Sequence, residues 1–367
     1  MPAFSLTGFA TTYSPEWNTR FPQLPVEYFP WPDYLLAPVP KVRWLFNGLC
    51  SRALGFSFYM PGLEKRLADF SVVHTLETHN TYSFQAAKAA ERYGSRLVVT
   101  VWETIPGRGE SHPLRTARKR FVRQRADAFI AVTPRTARML EAEGVPASKI
   151  HIIPMGIDQT HFRPQPVDAG LRISWKASSA DFVWLCVARL VPEKGIGDLL
   201  EAFALIKASA RLVLVGRGPQ QKIFEKLALK RGIRDRVTFA GAYPYAQMPA
   251  IYASADALVL PSRPTDWWEE QFGYCLVEAM ACGKPVVAAN SGAIPEVVGS
   301  AGMLVPPQNP LKLKQAMQEM MENSTLRKTL IHDGLARAQA EFTHYGTAEK
   351  IARLYTSLAE SRASNNR

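Results

Sequence analysis

Short apolar runs that alternate with longer helical stretches constrain the fold of this chain more than any other feature of its sequence. In the first half the apolar runs are "FSVVHT" (70–75), "RLVVTVW" (96–102), "AFIAVT" (128–133) and "IHIIPM" (150–155). The helical stretches between them are 82–93, 112–126 and 134–144. Because parallel strands are connected by helices that cover both faces of their sheet, this alternation predicts an α/β fold.

The same alternation returns after "FRPQPVDAG" (162–170), which has the proline-rich and polar composition of a linker. Strands are predicted at 182–190, 210–216, 236–242, 257–262, 285–290 and 301–306, and helices at 197–208, 219–231, 246–254 and 273–282. A chain of 367 residues exceeds one ordinary core, so we predict two Rossmann-like parallel-sheet domains. Their predicted bounds are 1–164 and 165–345, followed by a helix and tail over 346–367.

The net charge of +12 predicts an anionic partner such as a nucleoside diphosphate, a nucleic acid or an acidic membrane surface. Six cations and no acid lie in "SHPLRTARKRFVRQR" (111–125). The ordinary interpretation of such a run is a solvated helix face. The alternative is that helix 112–126 lies on anionic lipid as a peripheral membrane contact. No nucleic-acid-binding motif accompanies the charge, so we predict no nucleic-acid partner.

Four scattered cysteines form no CxxC pair, which argues against a disulfide framework or a zinc ribbon and fits a reducing cytosol. The first residues lack the basic and apolar regions of a signal peptide. No apolar run approaches the ~20 residues of a membrane-spanning helix. We therefore predict a cytoplasmic protein, either free or held at the inner membrane face by helix 112–126.

The stretch "EEQFGYCLVEAMACGKPVVAAN" (269–290) places two acids, Glu270 and Glu278, around the start of a predicted helix. In open α/β sheets, ligands bind where a strand leads through a loop into a helix N-terminus. Gly273 allows close approach there, and the N–H groups of the first turn suit a diphosphate. Glu278 can then bind a vicinal diol such as ribose, while Glu270 faces the group beyond the far phosphate. On pattern alone, a surface acid and a capping or ion-pairing acid explain the pair equally well.

A second cluster favours the ligand-binding interpretation. In "VARLVPEKGIGDLLEAF" (187–203), Arg189 ends a strand and Lys194 follows in the next loop. Two cations in one strand-to-helix loop can hold a diphosphate and stabilise the charge that grows on a departing nucleoside diphosphate. The alternative for Lys194 is a salt bridge to Glu193 or Asp198.

Residues 187–306 resemble the donor-binding domain of retaining GT-B glycosyltransferases of the GT4 type, the glycosyl transferases group 1. The matching stretches are, in order, "ARLVPEKG", "LVGRGP", "AGAYPYAQMPAIYASADALVLPS", "EQFGYCLVEAMACGKPVVAANSGAIPEVVG" and "GMLVPP". Residues 126–164 resemble the interdomain connector of that family. The resemblance implies an α/β GT-B fold, in which two Rossmann-like parallel-sheet domains face a cleft and the C-terminal helix packs back toward the N-terminal domain.

The resemblance also implies donor-binding roles for the matching positions. Glu278 would bind the ribose of a UDP- or GDP-linked sugar, Arg189 and Lys194 its diphosphate, and Glu270 its hexose. Residues 239–245 would contact the base. The backbone of four residues at the helix start would also hold the sugar: Phe272, Gly273, Tyr274 and Cys275.

The implied activity is that of a retaining, metal-independent hexosyltransferase acting on a glycan, lipid-linked or cell-surface precursor, as in cell-envelope polysaccharide biosynthesis. The chain contains no DxD motif to carry a metal–diphosphate, which agrees with an enzyme that needs no metal and no other cofactor. The mechanism commonly proposed for the family is front-face transfer, in which the leaving phosphate helps to deprotonate the acceptor. No protein nucleophile is then required.

The first half departs from the family's pattern in two places. Because "MPAFSLTGFATTY" resembles the family's second strand, we predict that the first strand and its Gly-Gly loop are missing. Trp102 stands where many relatives carry a histidine, and the adjacent Glu103 is our candidate for a catalytic contact with the acceptor. The alternative for Glu103 is a loop acid paired with a nearby arginine. These departures motivate a second functional hypothesis, a catalytically silent nucleotide-sugar-binding subunit.

Overall fold

The computed structural model describes residues 5–10, 25–28, 59–110, 112–207 and 209–365. These residues form two compact units. The first unit holds the described residues up to Val132, together with Thr136–Ile153 and the C-terminal part from Glu349. The second unit holds Thr133–Arg135 and Pro154–Ala348.

The described residues of the first unit form two parallel sheets. Its strands are β1 (Gly8–Ala10), β2 (Val26–Tyr28), β3 (Val72–Leu76), β4 (Arg96–Val101), β5 (Ala128–Ala131) and β6 (Ile150–Ile152). The pair β1–β2 forms one sheet, and the other has the order β3-β4-β5-β6. Val99, Val101 and Phe129 are buried in its core beside the alanines of the helix that follows β3. Small side chains on that helix let it approach the sheet closely.

The second unit contains one six-stranded parallel sheet. Its strands are β7 (Phe182–Val187), β8 (Ala210–Val215), β9 (Val237–Gly241), β10 (Ala257–Leu260), β11 (Val286–Ala289) and β12 (Gly302–Val305). Their order is β12-β11-β10-β7-β8-β9, the doubly wound Rossmann arrangement. The order reverses between β7 and β10, and the crevice beyond the carboxyl ends of these two strands is where such sheets bind ligands.

Helices connect the strands of both units. In chain order they are α1 (Leu63–Arg66), α2 (Thr81–Tyr93), α3 (Pro113–Arg125), α4 (Pro134–Ala142), α5 (Ala169–Ser174), α6 (Ile196–Ala204), α7 (Gln221–Lys230), α8 (Met248–Ala253), α9 (Tyr274–Ala281), α10 (Ile294–Val298), α11 (Pro310–Glu322), α12 (Ser324–Glu341) and α13 (His344–Asn365). In the described part of the chain, no helix combines the length and the apolar character needed to cross a membrane.

The prediction of parallel α/β sheets is confirmed, and all ten strands predicted between residues 70 and 306 are present. Of the stretch predicted to be the family's second strand, residues 5–10 are described and include β1, while 1–4 and 11–13 lie outside the described residues. The strand predicted over 182–190 ends earlier, at Val187, because the chain turns there and Val191 N bonds to the carbonyl of Arg189 at 2.9 Å.

Three glycines fix the loop that leaves β7. Gly195 has a φ of +68°, and a Cβ atom there would lie 1.9 Å from the carbonyl oxygen of Pro261 at the end of β10. A Cβ atom at Gly216 would lie 1.9 Å from the carbonyl oxygen of Ala188, and one at Gly218 would lie 2.3 Å from that of Leu190. Only glycine permits such contacts. These three positions therefore let the β7 loop pack closely against the loops that follow β8 and β10 at the switch point.

Candidate functional site

The loops that follow β7 and β10 meet at an ion pair. Lys194 Nζ donates a hydrogen bond of 2.6 Å to Glu270 Oε2, and Ser262 Oγ donates one of 2.7 Å to the same oxygen. Only 14% of the Lys194 side chain and 9% of the Glu270 side chain are exposed. The predicted cation and the predicted acid are therefore in contact at the switch point, largely shielded from water.

Further contacts surround the Lys194–Glu270 pair. The ring of Trp268 lies under the Lys194 ammonium, 4.7 Å from it, while the adjacent Trp267 is exposed. Ala293 N donates to the carbonyl oxygen of Glu270 at 2.8 Å. A Cβ atom at Gly292 would lie 2.2 Å from that oxygen, so the "SGAIP" loop packs directly against this backbone. The carboxylate of Glu270 is thus held by Lys194 and Ser262, and its backbone by the "SGAIP" loop.

The start of α9 offers the positive end of a helix beside this pair. Gly273 precedes α9 with a φ of +84°, and no side chain caps the helix. The helix dipole and first-turn N–H groups can therefore act on a ligand. Of the residues predicted to hold the donor sugar, Phe272 is buried, Tyr274 is exposed and Cys275 is half-buried.

Glu278 lies one turn further along α9. Tyr252 Oη donates a hydrogen bond of 2.6 Å to Glu278 Oε2. Burial raises the pKa of Glu278, while the hydrogen bond from Tyr252 and the nearby His161 lower it. Glu278 is therefore a half-buried acid with a fixed donor on one oxygen, rather than an ion-paired surface residue.

Arg189 lies on the β7 loop, but the structure keeps it apart from the ion pair. Its side chain is 66% exposed and its guanidinium lies 3.8 Å from Glu193. The other acid considered as a partner for Lys194, Asp198, lies 3.8 Å from Arg263. Both alternative partners of Lys194 therefore contact other cations. Arg189 stays at the surface of the loop as a solvated cation.

One arrangement near the site was not predicted from the sequence. Arg135, in the first turn of α4, makes a bidentate pair with Glu269 at 2.5 and 2.6 Å. Its backbone N–H also donates to Glu296 at 2.7 Å. This pair anchors the residue directly before Glu270. Because the two partners are 134 positions apart, no local pattern in the sequence could have indicated it.

Cysteine thiols near the site are held in their neutral form. Burial raises the pKa of Cys186 to about 12. Burial, together with the carboxylates of Glu270 and Glu278, raises the pKa of Cys275 well above its usual value. A thiolate nucleophile is therefore disfavoured at these two positions. Among the described residues, no group of three His, Cys, Asp or Glu side chains is placed to share a metal ion, and metal independence stays a prediction.

In the first unit, Glu103 is fully engaged by its neighbours. Its Oε1 accepts hydrogen bonds from the backbone N–H groups of Thr104 and Ile105, at 3.0 and 3.1 Å. Its Oε2 lies 2.8 Å from Arg108 Nε. This geometry matches the alternative interpretation of a loop acid paired with an arginine. A catalytic role for Glu103 stays a prediction.

A second carboxyl group, Glu77, lies at the end of the neighbouring strand β3. Its backbone has a φ of +60°, which is uncommon for a non-glycine residue. Its Oε1 accepts a 2.8 Å hydrogen bond from Trp102 N, while the buried Oε2 has no hydrogen-bond partner among the described residues. Burial raises the pKa of Glu77 to about 7; the Trp102 bond opposes this shift, and the Glu103 carboxylate adds to it.

Several cations in the basic segment are paired within the first unit. Lys119 is buried and contacts Glu110 and Glu143. Arg123 pairs with the same two acids at 2.9 Å. Arg125 lies 3.2 Å from Asp127. The charges of Lys119, Arg123 and Arg125 are therefore offset by neighbouring carboxylates, so the basic surface is smaller than the sequence alone indicates.

Two family profiles match the chain, one for each half. The profile described as "Glycosyl transferases group 1" matches residues 171–337. The profile described as "Glycosyltransferase Family 4" matches residues 10–161. The first match contains every residue that the sequence predicts to bind the donor, and the second contains Glu103.

Individual relatives extend these matches. An "MMP alpha-(1->4)-mannosyltransferase" of Mycolicibacterium hassiacum is 31% identical over 315 residues, which cover 80% of this chain and 72% of that protein. A "GDP-mannose-dependent alpha-(1-6)-phosphatidylinositol monomannoside mannosyltransferase" of Mycobacterium tuberculosis is 35% identical over 184 residues, which cover 48% of each. The chain thus spans about half the length of the first curated relatives that it matches.

A solved structure shares the fold across nearly the whole chain. The crystal structure of Anabaena Alr3699/HepE in complex with UDP and glucose superposes with a TM-score of 0.76 at 23% identity. The superposition covers 96% of this chain and 91% of that one. The GT-B fold predicted from the sequence is confirmed by this likeness.

Proposed function

We propose that this chain, which belongs to glycosyltransferase family 4, transfers a hexose from a nucleoside diphosphate to an acceptor hydroxyl group with retention of the anomeric configuration. One observation carries the proposal. The Lys194–Glu270 pair lies at the switch point beside the uncapped start of α9, with Glu278 one turn further. The cation and the helix N-terminus complement a diphosphate. The two acids complement the hydroxyl groups of the two sugars that flank it.

The diphosphate is assigned to the start of α9 and to Lys194. An ammonium group has three N–H donors, so Lys194 can keep its bond to Glu270 while it donates to a phosphate oxygen. Arg189 is exposed on the same loop and can turn toward the phosphates without losing a buried partner. The acids then recognise hydroxyl groups, Glu278 those of the ribose and Glu270 those of the hexose.

The chemical step is assigned to charge stabilisation rather than to covalent catalysis. As the bond to the sugar breaks, negative charge grows on the departing diphosphate, where Lys194 and the helix end already lie. The leaving phosphate accepts the proton of the attacking hydroxyl, as front-face transfer requires. The raised pKa values of the Cys186 and Cys275 thiols disfavour a cysteine nucleophile, in line with a mechanism that needs no protein nucleophile. We further propose that the reaction needs no metal ion.

The acceptor is proposed to be a glycan or a lipid-linked precursor. The name of the Mycobacterium tuberculosis relative gives phosphatidylinositol monomannoside as its substrate, which supports the lipid-linked option. Helix α3 carries six cations and no acid over residues 111–125, so we also propose a peripheral contact with anionic lipid at the cytoplasmic face of a membrane. We propose a UDP- or GDP-linked hexose as the donor. The name of the Mycobacterium tuberculosis relative gives GDP-mannose, and the Anabaena structure holds UDP and glucose.

The proposal predicts that one set of nucleotide sugars stabilises the purified chain against heat. At 100 times its dissociation constant, a bound ligand adds ~2.7 kcal/mol to the free energy of unfolding. We expect a shift in melting temperature with UDP- or GDP-linked hexoses, but not with the matching free hexose. A chain that no nucleotide sugar stabilises would contradict the proposal. Stabilisation without hydrolysis or transfer would instead favour the silent binding subunit.

A further inference from the structure

Each of the two acids at the site receives a hydrogen bond from a hydroxyl group on a different element. Ser262 follows β10 and donates to Glu270 Oε2, whereas Tyr252 lies on α8 and donates to Glu278 Oε2. Ser262 and Tyr252 are both fully buried. Neither hydroxyl group can therefore reach a solvent-borne ligand directly, so any effect on a ligand must pass through the acid that it holds.

We infer that Tyr252 and Ser262 are separate positioning residues, Tyr252 for recognition of the nucleoside through Glu278 and Ser262 for recognition of the sugar through Glu270. This inference rests on the proposed function. It adds that the chain adjusts its affinity for the nucleotide and its choice of sugar through two different hydroxyl groups. A fixed donor on Oε2 orients each carboxylate and leaves its other oxygen to bind a ligand hydroxyl group.

The inference also predicts a pH signature for Tyr252. Among the described residues, the titratable groups that interact with Glu278 are Tyr252 on α8, His161 after β6, and three at α9 or just after it: Tyr274, Cys275 and Cys282. Burial already raises the pKa of Glu278, and the Tyr252 hydrogen bond counteracts this. Without that bond the pKa of Glu278 rises further, so its carboxyl group is protonated at a higher pH. The protonated group no longer accepts hydrogen bonds from the ribose hydroxyl groups as a carboxylate does.

The test compares Tyr252→Phe with Ser262→Ala by titration calorimetry with a nucleoside diphosphate and with its nucleotide sugar, using UDP or GDP as the wild-type chain selects. We expect Tyr252→Phe to weaken both ligands by the same factor, about tenfold, since hydrogen bonds to charged groups are worth ~1.5 kcal/mol or more. We expect Ser262→Ala to weaken only the nucleotide sugar. In Tyr252→Phe, the loss of affinity on acidification should begin at a higher pH than in the wild type.

A double-mutant cycle separates positioning from a general structural effect. In the Glu278→Ala background, Tyr252→Phe should cause no further loss of nucleotide affinity. An equal loss with and without Glu278, an unchanged affinity in Tyr252→Phe, or parallel pH profiles would overturn the inference. A Tyr252→Phe chain that fails to fold would also overturn it, because the hydroxyl group would then be structural. Failure of the wild-type chain to bind any nucleotide is a different result, and it refutes the proposed function itself.

Discussion

Replacement of Lys194 by methionine is expected to lower the rate of sugar transfer by at least about 100-fold, the effect typical of losing one preorganised donor to developing negative charge. The ammonium lies at the switch point, 2.6 Å from Glu270 and beside the uncapped start of α9. Methionine keeps the length of the side chain but supplies no charge to the departing diphosphate. The measurement is the initial rate of transfer at saturating nucleotide sugar.

The matched control is Lys207→Met. Lys207 is an exposed lysine that follows the far end of α6, the helix whose N-terminus the Lys194 loop enters. Its removal changes the net charge by the same amount without touching the site, so the transfer rate should stay within about twofold of the wild type because exposed charges interact weakly. Equal rates for Lys194→Met and Lys207→Met would remove Lys194 from the mechanism.

The same substitution has a structural consequence that must be separated from the catalytic one. Without Lys194, the Glu270 carboxylate keeps Ser262 but loses its counter-charge, and breaking such a shielded pair costs about 3 kcal/mol of stability. The double variant Lys194→Met/Glu270→Gln removes the stranded charge. It should recover most of the lost stability, measured by denaturant unfolding, and none of the lost activity.

Glu77 is expected to make the stability of the first unit depend on pH between about 4.5 and 7. Burial raises its pKa from 4.5 to about 7, and only 15% of the side chain is exposed. Because the folded state holds this proton more tightly than the unfolded state, the contribution of Glu77 is fully present below pH 4.5. It is then lost progressively up to pH 7. At ~1.4 kcal/mol for each unit of pKa, the loss amounts to ~3 kcal/mol.

The Glu77→Gln variant should abolish this dependence while it keeps the acceptor for Trp102 N. Its stability relative to the wild type should therefore increase by ~3 kcal/mol from pH 4 to pH 8, as judged by unfolding midpoints across that range. Glu91→Gln on α2 is the control, because its side chain is exposed and its removal should leave the pH dependence intact. Parallel curves for the wild type and Glu77→Gln would show that Glu77 ionises normally.

The sheets were predictable because their strands are buried on both faces. Runs such as "ARLVLVG" and "ALVLPS" are apolar without interruption, as strands covered by helices must be. The helix α12 was not predicted, since its buried residues include Gly334 and Ala338, which carry little hydrophobic signal. A Cβ atom at Gly334 would lie 3.2 Å from Met280, so this helix packs by close approach rather than by large apolar side chains.

The placement of the candidate site residues was predictable where they lie in local motifs. Recognisable strand–loop–helix patterns contain all three residues: Lys194 and Glu270 lie in the loops, and Glu278 lies in the helix α9. The topology of the sheet brings Lys194 and Glu270 together. The partners that hold them could not be predicted. Tyr252 is 26 positions from Glu278, and nothing in "AIYASADALV" distinguishes a donating tyrosine from a core aromatic residue. Contacts of this kind depend on packing between elements, which sequence periodicity does not encode.

The measurement that tests the central claim most directly is a crystal structure of the chain soaked with the nucleoside diphosphate that stabilises it. The account predicts phosphate density within hydrogen-bonding distance of Lys194 Nζ and of the first-turn N–H groups of α9, with the ribose hydroxyl groups on Glu278. Density for the nucleotide at another place, with none at the N-terminus of α9, would contradict it.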